Sequence, residues 1–210
     1  MNVNDLAKAL GDSCYVLLAI NFLWGLYCIV LVRRRLRQLR FANEPAQAAF
    51  QEELQQRLSA GDVRGALAQC ENDERALPRL ASIAIANRKL DLPQLRQLVA
   101  HVVQRDVFAD IEYRLSWVAT VIKSGPLLGL FGTVLGMMAA FGRIGLGEKV
   151  QPSQIADEIS IALICTAMGL ATAIPFSYAL ASMQIRVRML HETLGFSLLQ
   201  LLDQLKKLAA

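Results

Sequence analysis

SGPLLGLFGTVLGMMAAFG, residues 124–142, and SIALICTAMGLATAIPFSYALASMQI, residues 160–185, decide the fold of this chain. The first lies between Lys123 and Arg143 and the second between Glu158 and Arg186, and neither holds an Asp or Glu. A helix rises 1.5 Å per residue, so about 20 apolar residues cross a hydrocarbon layer of about 30 Å. Working outward toward the N-terminus, SCYVLLAINFLWGLYCIVLV at 13–32 is a third block free of charge. Strand-period alternation is absent throughout. These features predict an all-α integral membrane protein with three transmembrane helices.

Both decisive blocks carry small residues on one helical face with a threonine set among them. Gly129, Thr133, Gly136 and Ala140 recur at i, i+4, i+7 and i+11, which at 100° per residue is a single face. Ala162, Thr166, Ala173 and Ser177 share a face of the later block in the same way. Small residues let helix backbones approach closely in lipid, and a hydroxyl on such a face can meet a polar group from a neighbour. A membrane threonine ordinarily bonds its own i−4 carbonyl. Here, however, Thr133 and Thr166 stand at comparable depth on consecutive antiparallel helices, and the reading is a shared polar groove. It is half of an ion path whose ionisable half belongs to another chain. Pro175 removes one backbone hydrogen bond inside its span and is expected to bend the helix.

Charge orients the spans. Fourteen of the 22 Lys and Arg residues fall between Arg33 and Arg114, and four more follow from Arg186 onward. The positive-inside rule puts both regions in the cytoplasm and the N-terminus outside. The loop from Arg143 to Glu158 has two basic and three acidic residues and fits the outer side. Asp5, Asp12 and a single basic residue precede the first block, and no small-x-small cleavage site separates it from the arginines that follow, so that block reads as a retained span rather than a leader. The topology accounts for the net charge of +4, and no basic patch interleaved with aromatics points to a nucleic acid. Lys123 can snorkel from the cytoplasmic end of its span. Asp157 and Glu158 mark the outer mouth of the next.

Between the spans the sequence predicts short cytoplasmic helices. Phe50, Leu54 and Leu58 give one apolar face from Pro45 to Leu58, Ser59–Asp62 breaks it, and Asp62 is placed to cap a second helix ending near Cys70. A third runs from Pro78 through Ala86. Asp91 reads as an N-cap with Pro93 in the first turn of one helix of about 50 residues. It passes from the cytoplasm into the second span. Leu190, Leu194, Leu198, Leu201 and Leu205 likewise extend the third span almost to the C-terminus. An apolar seam in water needs a partner helix, either from this chain or from an identical subunit. His101, His191 and the four cysteines form no pattern of metal or disulfide chemistry, and no cofactor is expected.

Gly125-Pro-Leu-Leu-Gly-Leu-Phe-Gly-Thr-Val-Leu-Gly-Met137 resembles the second-span signature of the ExbB/TolQ/MotA proton-channel superfamily. Ala162-Leu-Ile-Cys-Thr-Ala-Met-Gly-Leu-Ala-Thr-Ala-Ile-Pro175 resembles its third. Three spans and a large cytoplasmic loop match the ExbB/TolQ branch, whereas MotA-type stators have four. The resemblance implies a ring-forming homo-oligomer, a pentamer, around single-span helices of an ExbD/TolR-like partner in the bacterial inner membrane. That partner's intramembrane Asp would take up and release protons, facing the threonines at 133 and 166. Gly129, Gly136, Ala162, Ala173 and Ser177 would line the same channel, with Pro175 as the kink. The implied layout is a periplasmic N-terminus at 1–12, spans at 13–32, 116–142 and 159–185, and a periplasmic loop at 143–158. The cytoplasmic parts are a helical region at 33–115 and a C-terminal helix at 186–210. Many relatives carry Glu where this chain has Ile161, so no role for that Glu transfers. A non-enzymatic motor subunit follows; the alternative is a membrane scaffold whose seams serve only oligomerisation. An intramembrane enzyme is poorly supported, because the spans lack a nucleophile with a base.

Overall fold

Seven α-helices carry the chain in the computed structural model, which describes residues 3–41, 43–71, 73–145 and 151–209. They are α1 (Val3–Leu39), α2 (Glu44–Ser59), α3 (Val63–Cys70), α4 (Ala76–Ala86), α5 (Leu92–Val102), α6 (Ala109–Gly145) and α7 (Pro152–Ala209). No strand occurs among the described residues. The three apolar blocks fall on α1, α6 and α7, each long and apolar enough to cross a membrane. About a quarter of each apolar window, 28%, is buried. Many of the other apolar residues, including Leu127, Phe131, Phe141, Ile164 and Ile174, are exposed on the single chain, as a lipid-facing or assembling surface requires.

The short helices begin and end where local chemistry dictates. Asp62 caps α3 by accepting from the Gly65 N–H at 2.9 Å. The preceding Gly61 sits at φ +76°, a left-handed conformation that costs glycine little. Asp91 occupies the N-cap of α5 with Pro93 behind it, but its side chain makes no capping bond. The third short helix starts two residues earlier than its proline suggested, at Ala76. The expected long helix is present as 54 helical residues from Leu92 to Gly145. Its regularity is interrupted at Val103–Phe108, where the backbone adopts π-helical geometry that buries Val107 and Phe108. The loop expected at 143–158 is helical at both ends, and 146–150 lies outside the described residues.

The chain divides into two compact units. In the first, Met1–Val30 with Arg114–Ala181, α1 runs antiparallel to α6 and parallel to α7. Asn21 Nδ2 donates to the Val121 carbonyl at 3.3 Å, and Ser124 Oγ donates to Asn21 Oδ1 at 3.0 Å. Tyr15 OH donates to the Ile161 carbonyl at 2.9 Å, and Phe22 stacks on Phe176 with centroids 5.4 Å apart. Gly25 lies where all three helices meet, since a Cβ there would strike both Phe176 and Val121.

The second unit, Leu31–Tyr113 with Ser182–Ala210, holds α2–α5 and the extended ends of the long helices. The α7 seam predicted from its leucines is buried at Leu190, Leu194, Leu198, Leu201 and Leu205. Within the same chain, α2 and α5 reach that helix, Gln47 Nε2 donating to Ser197 Oγ at 3.4 Å and Arg96 pairing with Asp203 at 3.5 Å. Leu80, Ile85, Phe108 and Ile111 complete the core. His191 packs its ring on Phe108 at 4.9 Å, a packing role for that histidine.

Candidate functional site

The small-residue faces of α6 and α7 are where the two helices touch. A Cβ at Gly129 would lie 2.7 Å from the Cys165 carbonyl oxygen and 2.8 Å from Thr166 Cα; at Gly136 it would lie 2.6 Å from Ala162 Cβ. Gly125 and Gly169 face each other still more closely, the Cβ of a residue at 169 reaching 2.5 Å from the Gly125 oxygen. Gly132 faces Cys165 and, on α1, Cys14. Residue numbers that fall on one helix as they rise on the other confirm the antiparallel crossing. Gly129, Gly136 and Ala162 therefore bring backbones together inside one chain. The sequence pattern located this face without telling an intrachain contact from a channel wall.

Thr133 is 6% exposed, one helical turn beyond Gly129. Its hydroxyl donates to the Leu130 carbonyl at 2.7 Å. Thr166 sits directly against Gly129, and its Oγ1 is buried without a hydrogen-bond partner. Thr120, Thr172 and Thr193 each bond the i−4 carbonyl, at 2.9, 3.0 and 2.7 Å. Among the chain's five threonines Thr166 alone thus leaves its hydroxyl unused. A buried polar atom left in this state costs about 1–3 kcal/mol. The remaining members of the predicted stripe separate. Ala173 is buried, whereas Ser177 and Pro175 are exposed, and Ser177 bonds the Ile174 carbonyl at 2.7 Å. Helix α7 continues through Pro175.

Two polar contacts frame this crossing. Near one end stands the Asn21–Ser124 bond, beside exposed Lys123 and two residues before Pro126. Asn21 is the one amide in the 13–32 block, a signal present in the sequence that attention to the later threonines passed over. Near the other end Arg143 pairs with Glu158 Oε1, and Glu158 Oε2 is buried without a partner. Asp157, its neighbour, is exposed. Ile161, five residues before Thr166, presents an exposed aliphatic side chain, and its carbonyl accepts from Tyr15 OH.

Comparison with known proteins places this arrangement. The MotA/TolQ/ExbB proton channel family matches residues 32–194, more than half of the chain. The Tol-Pal system protein TolQ of Haemophilus influenzae is 38% identical over 85 residues, covering 40% of this chain and 37% of that protein. A putative biopolymer transport protein ExbB-like 2 of Helicobacter pylori is 33% identical over 93 residues, 44% of this chain and 62% of that one. The biopolymer transport protein ExbB of Neisseria gonorrhoeae is 34% identical over 82 residues, covering 39% and 35%. The chain thus spans between about a third and three-fifths of the length of these relatives. Together with three helices able to cross a membrane, the likeness makes this a multi-pass inner-membrane protein. Its threonine-bearing helix pair and the match that covers it give one conclusion: the chain belongs to the MotA/TolQ/ExbB proton channel family.

Proposed function

We propose that this chain is the channel subunit of a proton-driven motor, working on a single-span partner that carries an intramembrane Asp, as in the ExbD/TolR type. The observation that carries the reading is Thr166 Oγ1, a buried hydroxyl at a helix crossing with neither donor nor acceptor of its own. The two apolar spans lack a titratable carboxylate. A proton path through them therefore needs an acid from elsewhere, and an unused hydroxyl is what such an acid requires for solvation in lipid. Thr133, held by Leu130 yet retaining acceptor capacity, is the second polar member of the groove. Ala173 and Ser177 extend it along α7, and Pro175 marks its bend. In this reading the subunits close into a pentameric ring around the partner. The N-terminus is periplasmic and the C-terminus cytoplasmic, with the spans bounded at 13–32, 116–142 and 159–185.

A proton crossing the membrane releases about 2.3 kcal/mol per 100 mV, so a few per cycle suffice to rotate or rearrange the partner within the ring. The work would be delivered to transport or envelope processes. A scaffold reading draws on the packed glycines, which any helix bundle needs, but gives Thr166 Oγ1 no purpose. Measuring the unaltered complex beside variants with Thr166 or Thr133 replaced by Val separates the two. Proton-driven activity of the reconstituted complex should fall at least tenfold, with Thr166→Ser retaining most of it and assembly unchanged by sizing in detergent. Full activity in both valine variants removes the case for these two residues, whereas absence of proton-driven activity in the unaltered complex leaves the scaffold.

A further inference from the structure

A cavity of about 470 Å³ opens in the second unit, between the C-terminal turns of α1, the start of α2, α4 and α7. Four arginines line it, Arg33, Arg37, Arg40 and Arg186, and among the residues whose side chains are described no Asp or Glu does. Elsewhere in this unit Arg57, Arg75, Arg79, Arg96 and Arg105 each pair with a carboxylate. The four cavity arginines take part in no hydrogen bond or ion pair among the described residues. The lining also has an apolar part, with Leu36, Leu77, Leu190 and Leu194 buried, and a neutral polar part in Asn43, Gln47, Ser182 and Thr193. Arg33 is the first residue after the charge-free 13–32 block and Arg186 the first charge after the third apolar block. Both helices therefore reach the cavity as they leave the hydrocarbon.

Like charges gathered around one opening repel, and the neutral side chains of the lining supply no counter-charge. A phosphate resolves both, accepting forked hydrogen bonds from guanidinium groups. We propose that this cavity binds the phosphodiester headgroup of an anionic phospholipid from the adjoining leaflet. The lipid's glycerol backbone rests against the buried leucines of the cavity. A basic pocket between spanning helices at the membrane boundary is suited to such headgroups. The apolar part of the lining favours a lipid over a free phosphate, and the boundary position supplies one at high local concentration.

Native mass spectrometry of the full chain in mild detergent tests this, with phosphatidylglycerol, phosphatidylcholine or inorganic phosphate added at equal concentration. Phosphatidylglycerol should be retained, and the other two should not. The double variant Arg37→Gln/Arg186→Gln should weaken that retention at least tenfold. Arg34→Gln/Arg188→Gln, which removes two unpaired arginines outside the cavity, should change it less than twofold. Thermal unfolding without added lipid reports folding of both variants, and Arg37→Lys/Arg186→Lys should recover part of the binding. Equal loss in both glutamine variants overturns the site in favour of diffuse surface charge. Equal retention of phosphatidylcholine overturns the anionic headgroup, and saturation by inorganic phosphate at the same concentration overturns the lipid.

Discussion

At the residue scale the decisive contrasts are between side chains of one type in different surroundings. Thr166 differs from the other four threonines in leaving its hydroxyl buried and unbonded. This cost falls away when the hydroxyl is replaced by a methyl group. Thr166→Val should thus stabilise the isolated chain by about 1–3 kcal/mol even as it removes the proposed activity. Glycines divide just as sharply. A Cβ at Gly169 meets the Gly125 backbone, which cannot rotate away, whereas one at Gly195 meets nothing within 4 Å. Gly169→Ala should therefore lower stability by about 1–3 kcal/mol through overpacking. Gly195→Ala should raise it by about 0.5–1 kcal/mol through reduced freedom of the unfolded chain. Thermal unfolding in detergent, followed by circular dichroism, measures both, and equal effects at the two positions contradict the assigned helix crossing.

At the element scale, boundaries were legible wherever a cap or a break is chemically explicit. Asp62 was expected to start a helix ending near Cys70, and it does, through its bond to Gly65. Asp62→Ala should cost about 0.5–2 kcal/mol, read as a lower denaturation midpoint, while Asp91→Ala should cost less because Asp91 occupies the N-cap without bonding. Comparable losses at both positions would contradict this assignment. The π-helical stretch at Val103–Phe108 was not legible. Apolar residues at three- and four-residue steps fit an α-helix, and a π-turn shifts the register by a single residue. Only the packing of Val107 and Phe108 rewards that shift, and it involves residues distant in sequence.

At the scale of the molecule, the two units answer to different solvents, apolar exposure in one and a buried core with charged surface in the other. Cys70 ties the second unit to pH. Burial, aided by Asp73, pushes its thiol from 9.0 up to about 11. The unfolded chain releases this proton near pH 9 while the folded one holds it, so the contribution is intact below pH 9 and lost as pH rises toward 11. Chemical denaturation at pH 8 and pH 10.5 should show a larger decline for the native chain than for Cys70→Ala, and equal declines would place the thiol in solvent. The sequence by itself determined the all-helical class, the three spans and the family, because crossing hydrocarbon demands long uncharged helices and these announce themselves in composition. It also located the face bearing Thr133 and Thr166, since helical periodicity is a local property. Only the tertiary structure decided that Gly129 and Gly136 are taken up by contact with α7, that Thr166 keeps an unbonded hydroxyl, and that four separated arginines surround one cavity. Those are relations between residues far apart in the chain, fixed by which helix surfaces fit together, and no local pattern encodes them.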